Sequence, residues 1–340
     1  MTRYPDESNV GRTGHNHSSG WRMLATGLSL IILGAVVLAA AIHFVSGLAR
    51  QQVLSDFSSA HQEHHSHPES GQVEPADSLE APPLPTLRIA VAPVISPEKS
   101  LLLYQDFVQY VASRLDLEGE IVLRSNYLQT NQVLQDGRAD AGLVCTYGFV
   151  RAQRDFGARV VAVPVVNGGI KYHSVVIVPA DTKTTRLDQL AGKRFASADL
   201  MSTTGWLYPA VSLLNEGHNP ESFFSEHQIT GSHDRSILAV AQGEADGAAV
   251  HGLVYQGASP ALRSATRVIS RSPDYGMPPL ISGSGLTASL EQRLQAVLLT
   301  AHENPEGLQM LRQIGIDRFV APQAGLYDGV VALVERWEQR

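Results

Sequence analysis

Cysteine is almost absent: Cys145 is the only one in 340 residues. An intrachain disulfide and a cysteine metal cluster are therefore excluded, and the thiol reads most simply as a small buried apolar residue. No cysteine lies directly after the apolar stretch near the N-terminus, so a lipoprotein anchor is not expected. Charged residues are sparse at 17%, and their balance is negative, -7 at pH 7. A basic footprint is missing, so nucleic acid is not expected as a partner. Three catalytic signatures are missing too: a GxSxG elbow, an HExxH helix and a Gly-rich Lys-Ser/Thr phosphate loop. No cofactor and no metal is called for. What remains is a chain 44% hydrophobic, enough to bury the cores of one or two domains.

Residues 1–22 are polar and follow neither helical nor strand periodicity, the pattern of a disordered tail. Met23 to Ile42 carries no charge, and its length matches the roughly 20 apolar residues of a membrane-spanning helix. A transmembrane anchor over 23–45 is expected, with the arginines at 3, 12 and 22 on its cytoplasmic side and everything past about residue 46 outside. A cleaved signal peptide is the alternative, since Leu38 to Ala41 offers a small-residue site. Residues 46–85 are rich in Ser, His, Glu, Pro and Gln and end in Ala81 to Pro85, a flexible linker stiffened at its end. The four histidines between His61 and His67 are read as solvated rather than metal-bound.

From Leu87 onward, short β patterns alternate with helical ones. Strands are expected at Leu87–Ala92, Glu120–Leu123, Ala141–Val144, Val160–Val166, Ser174–Val178 and Gly247–Val250. Helices are expected at Leu101–Leu115, Thr130–Asp136, after Thr185, after Ser202, and at Ser236–Gln242, Thr287–Gly307 and Pro322–Glu338. This alternation predicts an α/β fold with mostly parallel sheets covered by helices. One phrase occurs twice, as Asp136-Gly-Arg-Ala-Asp140 and as Gly243-Glu-Ala-Asp246, each between a helix and a strand. The repetition suggests two lobes: 86–175 with 266–340, and 176–265, with Val268 to Ser270 leading back to the first.

The stretch Ser197 to Leu214 carries the candidate chemistry. Ser202, Thr203 and Thr204 precede Gly205 and an apolar run, where a loop turns into a helix. Leading amides and the positive end of the helix dipole favour an oxyanion there. The same residues also suit a plain N-cap.

Taken in order, Arg88-Ile-Ala-Val91, Asn126-Tyr127, Ala139 to Cys145, Tyr172 to Val178, Ser202-Thr-Thr-Gly205, Ser232-His233-Asp234 and Pro278-Pro279 resemble the phosphonate/phosphite-type (PhnD-like) periplasmic substrate-binding proteins of ABC uptake systems. The resemblance runs over about residues 86–320. It implies a two-lobed periplasmic-binding-protein fold of type II that closes on its ligand by hinge motion. It further implies that Ser202, Thr203, Thr204 and His233 hold the anion and that Tyr127 and Tyr147 line the pocket.

Relatives that bind aminoalkyl phosphonates place carboxylates at positions that fall on Leu253 and Pro278, and many carry an acid near His251; none of these three is acidic here. A buried ammonium without a partner is costly. The expected ligand is therefore a small oxyanion such as phosphite, phosphate or methylphosphonate, passed to an ABC permease or reported to a sensor kinase. Two other classes are carried along: a hydrolase with Ser202 as nucleophile and His233 as base, and a two-lobed interaction module that has lost its ligand.

Overall fold

A computed structural model describes residues 84–340. The tail, the anchor and the linker lie outside them, apart from Leu84 and Pro85. Among the described residues no helix is long and apolar enough to cross a membrane.

Two sheets organise the chain. The first has the order β13-β4-β12-β3-β1-β2. Its elements begin with β1 (Thr86–Val91), α1 (Pro97–Ser113), β2 (Glu118–Leu123), α2 (Tyr127–Gln135), β3 (Ala141–Leu143), α3 (Thr146–Phe156) and β4 (Val160–Val165). β1 runs parallel to β2 and β3. Leu87, Ile89, Ala90 and Val91 of β1 are all buried, as expected of a strand covered on both faces.

The chain then leaves this sheet through β5 (Lys171–Tyr172). The second sheet, β10-β6-β9-β7-β8, is built from β6 (Ser174–Pro179), β7 (Arg194–Ser197), α4 (Tyr208–Asn215), α5 (Pro220–Phe223), β8 (Glu226–Ile229), α6 (His233–Ala241), β9 (Gly247–His251), α7 (Gly252–Gln256), α8 (Pro260–Ala265) and β10 (Thr266–Arg271). The return runs through β11 (Tyr275–Gly276), which pairs antiparallel with β5. β12 (Leu280–Ser282), α9 (Ala288–Thr300), α10 (Pro305–Gln313), β13 (Arg318–Val320) and α11 (Asp328–Glu338) complete the first lobe. The two passages between lobes are thus one two-stranded ribbon. Gly276 lets this ribbon press against the closing segment: a Cβ there would stand 2.6 Å from Leu326 Cγ and 2.8 Å from its carbonyl oxygen.

The repeated phrase does one job twice. Gly137 and Gly243 each turn at positive φ, 67° and 72°. Asp140 then accepts the Arg88 N–H through Oδ2 at 2.7 Å, and Asp246 accepts the Arg194 N–H the same way at 2.9 Å. In both lobes an aspartate ties the end of a short helix to the strand that lies next to the sheet's edge strand.

Four apolar clusters pack the two faces of each sheet. α11 belongs to both halves, for its Trp337 packs against the clusters containing Tyr147 and Trp206. Arg154 of α3 meets Glu338 at 2.9 Å, and Arg336 meets Asn215 at the end of α4 at 3.0 Å.

Several sequence expectations need correction. Val268 to Ser270 does not lead back to the first lobe: β10 pairs antiparallel with β6 in the second sheet, so the second lobe spans the residues between β5 and β11. After Thr185 there is only a single 3-10 turn, Leu187–Leu190. The final helix starts at Asp328 rather than near Pro322. α3 was not anticipated at all.

Candidate functional site

Between the lobes the loop from Ala198 to Gly205 crosses from the second sheet toward the N-termini of α2 and α3. Its geometry departs from a regular helix start. Thr203–Leu207 forms one π-type turn before α4, and Ser202 is its N-cap, with Oγ accepting the Gly205 N–H at 2.9 Å. Glycine at 205 keeps the turn tight: a Cβ there would lie 3.0 Å from Ser202 Oγ and 3.3 Å from the Ala198 nitrogen, so the capping serine would have to shift.

The loop caps two helices of the opposite lobe. Asp199, 6% exposed, accepts the Tyr127 N–H at 2.9 Å through one oxygen and the Met201 N–H at 2.7 Å through the other. Burial pushes its carboxyl pKa up, and the two amides pull it back. Thr203 Oγ1 accepts the Tyr147 N–H at 2.8 Å and lies 2.7 Å from Thr146 Oγ1, which in turn lies 2.8 Å from the Tyr172 hydroxyl. The Thr203 N–H donates to Cys145 Sγ at 3.2 Å. The lone cysteine is buried as expected, but it is also an acceptor at the lobe contact.

His233 begins α6. Its backbone N–H donates to the Val94 carbonyl at 3.0 Å. Its Nδ1 accepts the His251 N–H at 3.2 Å, and its Nε2 stands 3.3 Å from Ser202 Oγ. Burial holds its pKa down, to about 3, with neighbouring Asp234 opposing. The ring is therefore neutral, and because Nδ1 receives an N–H, the proton sits on Nε2.

Near this pair is the Tyr127 hydroxyl. It is buried and makes no hydrogen bond among the described residues; burial raises its pKa, and the Ser202 side chain close by opposes the rise. An orphaned buried hydroxyl costs roughly 1–3 kcal/mol, and an oxyanion accepting from it relieves that cost. Tyr127 OH, Ser202 OH and His233 Nε2–H form a buried cradle of neutral donors.

The six expected ligand residues are all buried, but they play different parts. Ser202, His233 and Tyr127 converge. Thr203 is engaged across the lobes, Tyr147 takes part through its backbone amide, and Thr204 accepts the Ser174 hydroxyl through its carbonyl at 2.6 Å. Asp199, Thr146 and Tyr172 were not singled out from sequence. Only Asp199, a lone acid in an apolar run leading to the loop, offered a signal.

The Ser202–His233 pair is not a nucleophile and base. A catalytic histidine receives the serine proton at Nε2 while its Nδ1–H is held by an acid. Here Nδ1 is an acceptor, and Asp234 faces away, bound by Ser96 N–H, Lys99 Nζ and Ser232 Oγ. Among the described residues no group of His, Cys, Asp and Glu is placed to hold a metal.

Beside the cradle lies a cavity of about 520 Å³ at the C-terminal ends of β1, β3 and β4, closed on the other side by α7. Leu253 and Pro278 both line it, and none of its lining residues is Asp, Glu, Lys or Arg. His251 lines it too and stacks on Tyr172 at 4.4 Å between ring centroids. Burial, with His233 and His173 nearby, holds the His251 pKa well below the usual histidine range.

Two sheets joined by a paired ribbon around a buried polar cradle define a two-lobed binding protein. Residues 89–327 match the family described as ABC transporter, phosphonate, periplasmic substrate-binding protein, and the chain belongs to that family, one of binding proteins rather than enzymes. It is 26% identical over 172 residues to the phosphate-import protein PhnD of Mycolicibacterium smegmatis, an alignment covering 47% of this chain and 53% of the relative. The chain thus spans about half the length of that curated relative. Its fold is similar to PhnD1 from Prochlorococcus marinus in complex with methylphosphonate, with TM-score 0.67, 18% identity, and 75% of this chain and 99% of that one covered. It is also similar to a binding protein component of an ABC phosphonate transporter from Pseudomonas aeruginosa, with TM-score 0.68, 18% identity, and 74% and 86% covered.

Proposed function

We propose that the chain is an extracytoplasmic receptor that captures a small phosphorus oxyanion between its lobes and delivers it to an ABC permease. The stretch from Met23 to Ile42 holds it at the membrane. The observation that carries this reading is the Tyr127 hydroxyl, a buried donor without an acceptor beside Ser202 and the neutral His233. Each of these groups donates a hydrogen bond to an oxyanion and none needs a counter-charge. The ligand class is phosphate, phosphite or an alkylphosphonate, and the uncharged lining around Leu253 and Pro278 disfavours an aminoalkyl substituent.

Calorimetric titration of the purified protein with phosphate, phosphite, methylphosphonate and 2-aminoethylphosphonate tests the reading. Saturable binding of at least one of the first three, weakened by Ser202→Ala, supports it. Tight binding of 2-aminoethylphosphonate alone would overturn it.

One observation favours a second reading. Asp199 and Thr203 already satisfy the helix N-termini that face the loop, as they would in a module that keeps its shape without a ligand. A thermal-shift screen in which no oxyanion raises the melting temperature would select that reading.

A further inference from the structure

The first turn of α4 is short of one backbone donor. Thr203 accepts the Tyr208 N–H in the i→i+5 register of the π-type turn, and the next residue, Pro209, has no N–H to give. One carbonyl therefore goes unanswered from the helix: that of Thr204 if the wide register continues, that of Gly205 if the i→i+4 spacing of a regular helix resumes. A buried carbonyl without a donor is costly. Two serines of the second sheet, both fully buried, stand in for the missing amide. Ser174 of β6 donates to the Thr204 carbonyl at 2.6 Å, and Ser197 of β7 donates to the Gly205 carbonyl at 2.9 Å.

Ser197 has a partner behind it. β8, the edge strand of this sheet, runs parallel to β7 and sets His227 opposite Phe195, from where the ring reaches diagonally to Ser197, with Nε2 2.8 Å from Oγ. The serine proton is committed to the Gly205 carbonyl, so Nε2 is the donor of this pair. Burial holds the ring's pKa down, to about 4, which leaves it neutral with its one proton on that nitrogen. The ring also stacks on Trp206, the residue after Gly205, at 4.0 Å between centroids.

Gly205 is thereby held at both of its backbone groups, its C=O by Ser197 and its N–H by Ser202 Oγ at 2.9 Å. Glycine is the residue whose two dihedrals are otherwise least restricted. Fixing them fixes where the Ser202 oxygen sits and leaves its hydroxyl proton free for an acceptor. The chain of contacts runs from His227 through Ser197 and Gly205 to Ser202, and ends 3.3 Å from His233 Nε2.

We infer that His227 and Ser197 are positioning residues of the anion site: they lock Gly205, and through it they aim the Ser202 hydroxyl at the ligand without being donors to the ligand themselves. The inference rests on the anion-binding reading above and extends it to the edge strand of the second sheet. It makes anion affinity answer to a side chain that sequence and site geometry alone leave out of the cradle.

The test is a double-mutant cycle on the full-length protein, read by calorimetry with inorganic phosphate and methylphosphonate as probes and by thermal unfolding of each variant. His227→Phe keeps a ring against Trp206 and loses the donor, while His227→Gln keeps a side-chain N–H at that end. His227 is only half-buried, so these variants are gentler on folding than Ser197→Ala, which leaves the Gly205 carbonyl without its serine. His227→Phe is expected to weaken probe binding by roughly tenfold, the lower end of what a hydrogen bond to a charged group yields. His227→Gln is expected to stay within about twofold of the parent, and His227→Phe placed on Ser202→Ala is expected to cost less than about twofold more, because the group it orients is already gone. A His227→Phe protein that melts lower but binds like the parent overturns the inference. The same follows from an equal affinity loss with and without Ser202, or from a His227→Gln protein as weak as His227→Phe. A parent that binds neither probe, or binds them regardless of Ser202→Ala, overturns the anion-site reading and the positioning role together, whereas Ser202-dependent binding that ignores His227 overturns the positioning role alone.

Discussion

The backbone N–H of His251 donates to Nδ1 of His233 across 3.2 Å, and this one bond decides what the imidazole can do. With Nδ1 filled, the ring presents Nε2–H to Ser202 and to any acceptor beside it. It serves as a donor and is a poor base, its pKa held at about 3 by burial. Incubation with p-nitrophenyl phosphate is therefore expected to give no turnover that depends on Ser202. Turnover lost in Ser202→Ala would contradict the assigned tautomer.

Burial holds four histidines below their ordinary range, with His233 lowered to about 3 and His227 to about 4, and with His173 and His251 lowered as well. Below the unfolded-state pKa of about 6.5, the unfolded chain takes up protons that the folded chain refuses, so stability falls as pH falls. His233 and His227, whose pKa values are held farthest down, each contribute about 1.4 kcal/mol of loss between pH 7.5 and 5.5. His233→Gln is expected to reduce the pH 7.5 to 5.5 difference in urea-unfolding free energy by about that amount. An unchanged difference would mean that His233 titrates normally in the folded protein.

Tyr127→Phe removes the buried hydroxyl that lacks a partner. Unfolding free energy without ligand is expected to stay level or rise. Anion affinity is expected to fall by about 1–3 kcal/mol, the range for hydrogen bonds to charged groups. Calorimetry and urea unfolding on the same variant separate the two, and a variant that loses stability but binds like the parent would place the tyrosine outside the site.

Thr203→Val keeps shape but removes the acceptor for the Tyr147 N–H and the partner of Thr146 Oγ1. The lobes are expected to separate more readily, seen as a larger radius of gyration by small-angle scattering. Stability is expected to drop by roughly 1–3 kcal/mol, because a buried amide loses its bond. Thr203→Ser keeps the hydroxyl and is expected to behave like the parent.

Trp337→Ala tests the helix that both lobes share. Trp337 sits edge-on to Trp206, with ring centroids 6.2 Å apart, and is half-buried. The loss is expected at about 1–3 kcal/mol, below the 3–5 kcal/mol of a fully buried tryptophan, and Trp206 fluorescence is expected to shift as its environment opens. A change under about 0.5 kcal/mol with unaltered fluorescence would show that α11 adds nothing to lobe contact.

Most of the fold could be read from periodicity because each sheet is covered on both faces, which writes its strands as short apolar runs such as Leu87 to Val91 and Ser174 to Val178. The doubled Ala-Asp phrase carried the two-lobe architecture, since each copy fastens the strand next to the edge of its own sheet. β10 was harder to place: Thr266 to Arg271 lies on the margin of its sheet and alternates only weakly, so nothing local says which lobe it joins. α3 was hidden because its start, Cys145-Thr146-Tyr147, has no side-chain cap of its own. Its Tyr147 amide is answered by Thr203, 56 residues further on. Ser202 and His233 were visible as residue types at helix starts, whereas the cavity arises from segments scattered from Val91 to Ile316 and exists only once they are folded together.

The cradle's lack of any formal positive charge has a kinetic consequence. Without a cationic side chain in the cradle nothing local draws an anion in, and the chain's net charge of -7 opposes its approach, so added salt is expected to speed association rather than slow it. Recognition begins only at contact, where the number of lone pairs an anion offers must match the protons it meets.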